Sequence, residues 1–452
     1  MATLMWISHA ECPLKASELC HALSVEIGSP NLDYYNVPSI GLLLACCQGL
    51  ITIDKETSTV RLTHYTLQEY FRAHPELFGL AHSTMAETCL SYLNSDQVKA
   101  LSARPDIGPG NSDLQSTPFL KYSSLYWGMH AKKELSDCSK LLALSLFGDY
   151  SNHISIKILL KEVEPYHSCT HSDTIPPFSG LHCASLFGIA EIVAVLVEVK
   201  SCDINQEDCV CNTPLVWAAR NGHERVVEIL LGQDDSSPDK RGKLDRTPLS
   251  FAAGNGHEGV LKMLLGRDDV NPDRSDWDFQ TPLSYAAQKG LEGVVKILLQ
   301  RDDVNPNERD GNGETPLSHA AERGHEGVVK VLLQRSDVDP DTSGMGGQTP
   351  LSYAAMMGHE GVVKTLLQRD DVSPSAPDWE GDTPLSLATR MGHERVVKML
   401  LQRDGVNPSA PDGEGGTPLF LATLSGHPFR PPGGGMMGCS NGTTTTPTSR
   451  EG

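Results

Sequence analysis

The triplet Thr-Pro-Leu stands at residues 213–215 and returns at 247, 281, 315, 349, 383 and 417, always 34 residues on. A fixed period of that length implies a stack of like units, each burying its apolar side against its neighbours. The unit is complete at Thr315–Leu333, TPLSHAAERGHEGVVKVLL. Thr315 is placed to accept a hydrogen bond from an orphan N–H at a helix start, and Pro316 fits the first helical position, where no donor is needed. Leu317, Ala320 and Ala321 fall on one face at i, i+3 and i+4, and the two alanines let another helix approach. Gly324 suits the left-handed residue that ends a helix. Val328, Val329, Val331, Leu332 and Leu333 then form the apolar side of a second, antiparallel helix, and Arg335–Gln348 reads as a connecting finger rich in turn formers. Ordering 34 residues costs roughly 50 kcal/mol, which needs about 2,000 Å² of apolar burial, so no unit stands alone. The frame assigns helix capping to Thr213, Thr247, Thr281, Thr315, Thr349, Thr383 and Thr417, and helix stopping to Gly222, Gly256, Gly290, Gly324, Gly358, Gly392 and Gly426.

The unit resembles the ankyrin repeat. Leu181-His182-Cys183-Ala184 and Gly188 sit one period before Leu215–Gly222, so a degenerate first repeat begins near Ser179, with Ser179-Gly180 in place of Thr-Pro. It reads as an N-terminal cap. Six full repeats follow. An eighth begins at Thr417 but loses its second helix after Gly426-His427, and the Pro-, Gly- and Thr-rich tail from 428 has too little apolar surface to order.

Upstream, Leu14–Val25 and Ile40–Cys47 are helical by spacing, Leu50–Ile53 and Val60–Thr63 alternate about a polar turn as a hairpin does, and Tyr65–Arg72 returns to helix. Helices with a two-stranded wing predict a small winged-helix-like module. Pro13-Leu14, Glu18-Leu19, His21-Ala22-Leu23, Pro38-Ser39-Ile40, Gly49-Leu50 and Val60-Arg61-Leu62-Thr63-His64-Tyr65-Thr66-Leu67-Gln68-Glu69-Tyr70-Phe71 resemble the segment that follows the nucleotide-binding domain in fungal NACHT-ankyrin receptors. The resemblance implies a module that packs against an NTPase core and helps gate it. No G-x-x-x-x-G-K-[ST] occurs, so this chain encodes no phosphate cradle, and the expectation is a chain that begins just after such a domain. Helices at Met85–Leu93, Phe119–Leu135, Leu141–Leu146 and Ile154–Val163 form a connector, with a loop boundary at Pro165–Pro177. The expected fold class is mainly α: an ankyrin-repeat solenoid at 176–427, preceded by the winged-helix-like module at 1–80 and the connector at 81–175, with a disordered tail at 428–452.

A net charge of −20 argues against polyanions such as nucleic acid or anionic membrane, and Ile40–Cys47, the candidate recognition helix, carries no Arg or Lys. Twelve cysteines form no CxxC pair, the N-terminus lacks a signal-peptide pattern, and no 18-residue apolar run occurs, which predicts a reducing cytoplasmic setting, with the nucleus left open. Six histidines follow the helix-stopping Gly (His223, His257, His325, His359, His393, His427), with Leu291 once in their place, and such repetition points to packing rather than metal. Asp303, Asn305, Asn307 and Glu314 match EF-hand spacing, but Glu308 stands where that loop needs Gly and Pro306 intrudes. No nucleophile elbow or HExxH is present. The reading is non-enzymatic and monomeric, with no cofactor, metal site or small-molecule substrate.

The surface remains. Side chains that change from unit to unit are those the frame does not dictate: the residue before each Thr (Asn212, Arg246, Gln280, Glu314, Gln348, Asp382), the finger residue four before it, and the pair before each Gly. In related repeats, finger and first-helix positions line a concave groove. The expected partner surface has a polar half at Arg220, Asn221, Gln288, Lys289, Glu322 and Arg323, and an apolar half at Met345, Met356, Met357, Trp379 and Met391, with Trp277 in the same finger series. The competing expectation is that each tryptophan folds onto its own finger. Trp217, Phe251, Tyr285 and Tyr353, one turn into the first helix, read as packing between repeats.

Overall fold

The computed structural model describes residues 1–102, 116–148, 150, 153–164, 178–199 and 202–424. The predicted loop at Pro165–Pro177, the tail from 428 and the predicted stop at Gly426 lie outside the described residues. The chain divides into two compact units, Met1–Asn271 and Pro272–Gly452.

The first unit opens with α1 (Ala2–His9), α2 (Ala16–Ser24) and α3 (Ile40–Cys46), then a hairpin of β1 (Ile51–Ile53) and β2 (Val60–Leu62), then α4 (Tyr65–Ala73). The strands pair antiparallel with Ile51 opposite Leu62 and Ile53 opposite Val60, and Ile51 and Val60 are buried. Helix α1 was not expected from sequence, because no capping residue precedes it. Tertiary packing holds it: Leu4, Met5 and Trp6 are buried, and the Trp6 indole meets Phe119 and Tyr122 edge-on at 5.4 and 5.8 Å.

The connector consists of α5 (Ala81–Asn94), α6 (Asp96–Ser102), α7 (Leu120–Lys133), α8 (Asp137–Phe147) and α9 (Ile154–Val163). Helix α5 packs against α7 and α8, and its Met85, Cys89, Tyr92 and Leu93 are fully buried. The connector grips the first repeat through two glycines. A Cβ on Gly128 of α7 would lie 2.2 Å from the Phe187 ring, and one on Gly180 would lie 2.4 Å from the Phe147 ring. Only hydrogen leaves room for these rings.

The degenerate repeat pairs helices Gly180–Phe187 and Ala190–Val197, with Ser179 as N-cap and Gly188 at φ 78°. In the regular repeats of both units a seven- or eight-residue helix begins at each Pro, from Pro214 to Pro384, and a second begins at Glu224, Glu258, Glu292, Glu326, Glu360 and Glu394. The eighth repeat contributes Pro418–Leu424. Each Thr Oγ1 accepts the N–H three residues on, at 3.1–3.2 Å for Thr247 and Thr383, for example, and at 3.4 Å for Thr417. The stop glycines from Gly222 to Gly392 all have φ between 70° and 80°. Leu283, Ala286, Ala287, Leu317, Ala320 and Ala321 are fully buried, so the first helices pack on their small-residue face.

Candidate functional site

Five of the seven fingers are built by an aspartate five residues before the Thr, with Gly242 and Gly344 in that place in the other two. Asp276 Oδ1 accepts the amides of Asp278 and Gln280, both at 2.9 Å, and Asp310 Oδ1 accepts those of Asn312 and Glu314 at the same distance. Asp208, Asp378 and Asp412 repeat the arrangement. Each carboxylate thus closes a tight loop whose backbone has no helix or long strand to pair with. Within the second unit the fingers are tied edge to edge: the amides of Gly311, Met345 and Trp379 donate to the carbonyls of Asp278, Asn312 and Gly346 at 2.8, 2.8 and 3.1 Å.

That ladder sets the residues four before each Thr in one row, and the fingers are too thin to bury what stands there. Trp277, Met345 and Trp379 are 62, 59 and 76 % exposed, and Phe279 beside Trp277 is 62 % exposed. Gly347, at φ 80°, makes room for the Trp379 indole: its Cβ would lie 2.6 Å from Trp379 Cδ1. The ring therefore leans on the preceding finger rather than its own. At the ends of the first helices, Met357 and Met391 are exposed and Met356 is half-buried.

The polar positions are placed differently. Gln288 and Glu322 are half-buried, and Lys289 and Arg323 are exposed. Asn221 is exposed, with its Nδ2 donating to the Trp217 carbonyl at 2.8 Å. Arg220 is held inside the first unit. It ion-pairs with Glu164, which is also bound by Lys243 Nζ at 2.5 Å, and its guanidinium lies 5.4 Å from the Trp217 ring centroid. Burial alone would raise the Glu164 pKa, but hydrogen bonds from Lys243 and Arg220 prevail and hold it below the usual range.

The residues just before each Thr, which the sequence reading took as undictated by the fold, are largely ties within and between repeats. Asn212 Oδ1 accepts the Lys243 amide at 2.9 Å, Gln348 Nε2 donates to Asp378 Oδ2 at 2.9 Å, and Glu314 Oε1 accepts the Tyr353 hydroxyl at 2.5 Å. The finger aspartates themselves escaped the sequence reading, although their recurrence five before Thr at 208, 276, 310, 378 and 412 was a visible signal. The aromatic positions of the first helix are spent on these aspartates or on neighbouring cations: Trp217 Nε1 on Asp208 at 2.7 Å, the Tyr285 hydroxyl on Asp276 at 2.5 Å, and Arg246 over the Phe251 ring at 4.3 Å.

The repeated histidines sit at the start of the second helix and reach back one repeat. Nε2 of His223, His257, His325, His359 and His393 lies 2.8–3.1 Å from the carbonyls of Leu186, Arg220, Gln288, Glu322 and Met356. A carbonyl only accepts, so Nε2 carries the proton. The EF-hand-like residues are engaged elsewhere: Asp303 with Arg301 at 2.6 Å, Asn305 Nδ2 with Glu308 at 2.7 Å, and Asn307 Nδ2 with the Asp337 carbonyl at 2.6 Å. Among the described residues no helix is long and apolar enough to cross a membrane.

Comparison with known proteins locates the repeats and the N-terminal module. Residues 145–242, 234–310 and 302–378 match a family model described as ankyrin repeats, and residues 380–413 match one for the single ankyrin repeat. The three-copy match alone covers more than half of the 452 residues. Residues 1–82 match the winged helix domain of GPI inositol-deacylase. No curated protein matches the chain. Among solved structures, the ankyrin repeat domain of Bcl-3, described as a unique member of the IkappaB protein family, is 25% identical, with a TM-score of 0.43 and coverage of 47% of this chain and 94% of that one.

Proposed function

From the premise that this chain belongs to the ankyrin-repeat family, whose repeats are protein-interaction modules, we propose that it is a non-enzymatic adaptor that binds a segment of a partner protein along the finger tips and first-helix ends of residues 272–424. The exposed row Trp277, Met345 and Trp379, held in register by the finger ladder, carries the reading. Large apolar groups that nothing covers mark interaction surfaces, and rigid backbone beneath them lowers the ordering cost of binding. Met357 and Met391 extend the apolar lining, and methionine adapts to varied partner shapes. Lys289, Arg323 and the half-buried Gln288 and Glu322 supply a polar rim. The net charge of −20 favours a partner segment whose apolar anchors are flanked by basic residues.

The test is comparative affinity capture with wild type and the Trp379→Ala/Met345→Ala variant as baits. Both side chains are more than half exposed, so the melting curve should not move, while the specific partner is lost or reduced at least tenfold. A captured set identical for both baits removes the claim.

A second reading is favoured by the match of residues 1–82 to a winged helix domain: the chain serves as the sensor half of a NACHT-type NTPase receptor. Reading the genomic sequence upstream for an in-frame P-loop discriminates, since its absence leaves the adaptor reading alone.

A further inference from the structure

In the first unit, side chains from three separate segments converge where the loop after α1 meets α5 and α7. Glu11, His82 and His130 each bring one metal-capable atom, all within 4.8 Å of one another. The Nδ1 atoms of His82 and His130 face each other at 2.8 Å, their rings meeting edge to edge with centroids 5.1 Å apart and planes 28° apart, and Glu11 Oε1 lies 3.9 Å from His130 Nδ1. Two ring nitrogens at that distance accommodate one proton between them and no more. His130 is fully buried. The other ring nitrogen of His130 is already oriented: Nε2 is 2.9 Å from the Tyr122 hydroxyl, whose oxygen also accepts the Glu11 amide at 3.1 Å.

We propose that Glu11, His82 and His130 form a Zn²⁺ site that clips the winged-helix module to the helical connector, with water as the fourth ligand. Imidazole and carboxylate donors suit Zn²⁺, and the outer contact from a ligating ring N–H to Tyr122 is the usual second support of such a site. Two nitrogens each about 2.05 Å from a tetrahedral zinc stand ~3.3 Å apart, so the two rings must part by about 0.5 Å and each turn by roughly 35° to aim at one ion. Lys133 Nζ now donates to Glu11 Oε1 at 2.5 Å, and its side chain, 48% exposed, can turn to solvent when the metal takes that oxygen. His9 does not enter: its Nδ1 is held by the Met5 carbonyl at 3.3 Å and the Ser8 hydroxyl at 2.8 Å.

Among the described residues a second convergent group, Asp310, Glu314 and His319, has a different explanation. His319 Nε2 meets Asp310 Oδ2 at 2.9 Å, the link that Trp217 makes to Asp208 and Tyr285 makes to Asp276. Neither the indole nor the phenol is a zinc ligand of the ordinary set, so that link belongs to the finger.

The test uses the full chain stripped with chelator and titrated with Co²⁺ as a spectroscopic probe, then with Zn²⁺ by calorimetry. The site predicts one equivalent, ligand-field bands without thiolate charge transfer, and a melting temperature raised by Zn²⁺. Affinity should fall by more than about tenfold in Glu11→Gln and in His82→Gln, and by about 10–100-fold in Tyr122→Phe, which keeps the ring and removes the oxygen. Absence of binding, thiolate bands that place the ion on cysteines, or an affinity unchanged in both Glu11→Gln and His82→Gln would overturn the assignment.

Discussion

The imidazole of His359 lies flat against the α-carbon of Gly324, and its Nε2–H donates to the Glu322 carbonyl at 2.8 Å. A glycine that ends one helix is therefore also the seat for the next repeat's ring. Gly324 has φ 75°, and a Cβ there would lie 2.7 Å from His359 Nδ1, so two penalties fall on one substitution. Gly324→Ala should destabilise the protein by roughly 1–3 kcal/mol in urea titration. Adding His359→Ala should recover the steric part, so the double variant should be less destabilised than the sum by about 1 kcal/mol. Strict additivity would mean that the ring and the glycine do not meet.

Glu164 is the shared partner of Arg220 and Lys243, with its side chain only 5% exposed. Glu164→Gln keeps the shape and removes the charge, leaving two cations over a neutral amide. A loss of about 2 kcal/mol is expected, the scale of hydrogen bonds to charged groups. Because the folded-state pKa is depressed, this contribution is present above the ordinary Glu pKa and fades as pH falls through the folded value. The difference between wild type and variant should therefore narrow on acidification. A difference that holds constant to low pH would remove charge as its source.

The repeat was legible because its signals are local and stand at fixed offsets: Thr caps, Pro starts, Gly stops, and apolar faces at 3.6-residue spacing. The histidines were flagged by position, but their acceptors, 37 residues back, belong to the stacking and not to any one unit. The residues before each Thr misled for the opposite reason. The amides of Asn212, Gln280 and Gln348 each bond the next finger, while Arg246 donates to the Ser250 carbonyl and Glu314 accepts the Tyr353 hydroxyl, so variation did not mean freedom from the fold. Helix α1 and the cluster of Glu11, His82 and His130 left no sequence signal, since their contacts join residues far apart in the chain and follow no period. The exposed tryptophans were legible as unusual residues for a finger, and only the structure shows Trp379 leaning on Gly347.

His182 stands in the degenerate repeat where five of the later repeats have Ser, and it is fully buried, Nε2 donating to the Gln206 carbonyl at 2.9 Å and Nδ1 accepting the Ser179 amide at 3.1 Å. Burial pushes its pKa down to about 4, against backbone hydrogen bonds that act the other way. Between about 4 and the ordinary value of 6.5 the unfolded chain binds the proton and the folded one does not, so stability rises with pH across that window. The shift corresponds to roughly 3 kcal/mol. His182→Gln cannot titrate, so the stability advantage of wild type over this variant should shrink as pH is lowered from 6.5 to 4, read as urea midpoints. An advantage independent of pH in that window would show that the ring is protonated alike in both states.

Asp208 and Asp276 hold equivalent fingers but face different partners, and asparagine separates the two cases. In each, Oδ1 accepts two backbone amides, so an asparagine keeps its carbonyl there and turns Nδ2 to the second partner. At Asp208 that partner is the Trp217 indole N–H at 2.7 Å, which can only donate, and two donors then confront each other in a fully buried place. At Asp276 it is the Tyr285 hydroxyl at 2.5 Å, which can rotate and accept. Asp208→Asn should therefore cost about 1–3 kcal/mol, the penalty of an unsatisfied buried donor, whereas Asp276→Asn should stay within about 1 kcal/mol of wild type. Thermal or urea unfolding of the two variants decides it, and equal losses at both positions would mean that the carboxylate charge, not the direction of the donors, holds the fingers closed.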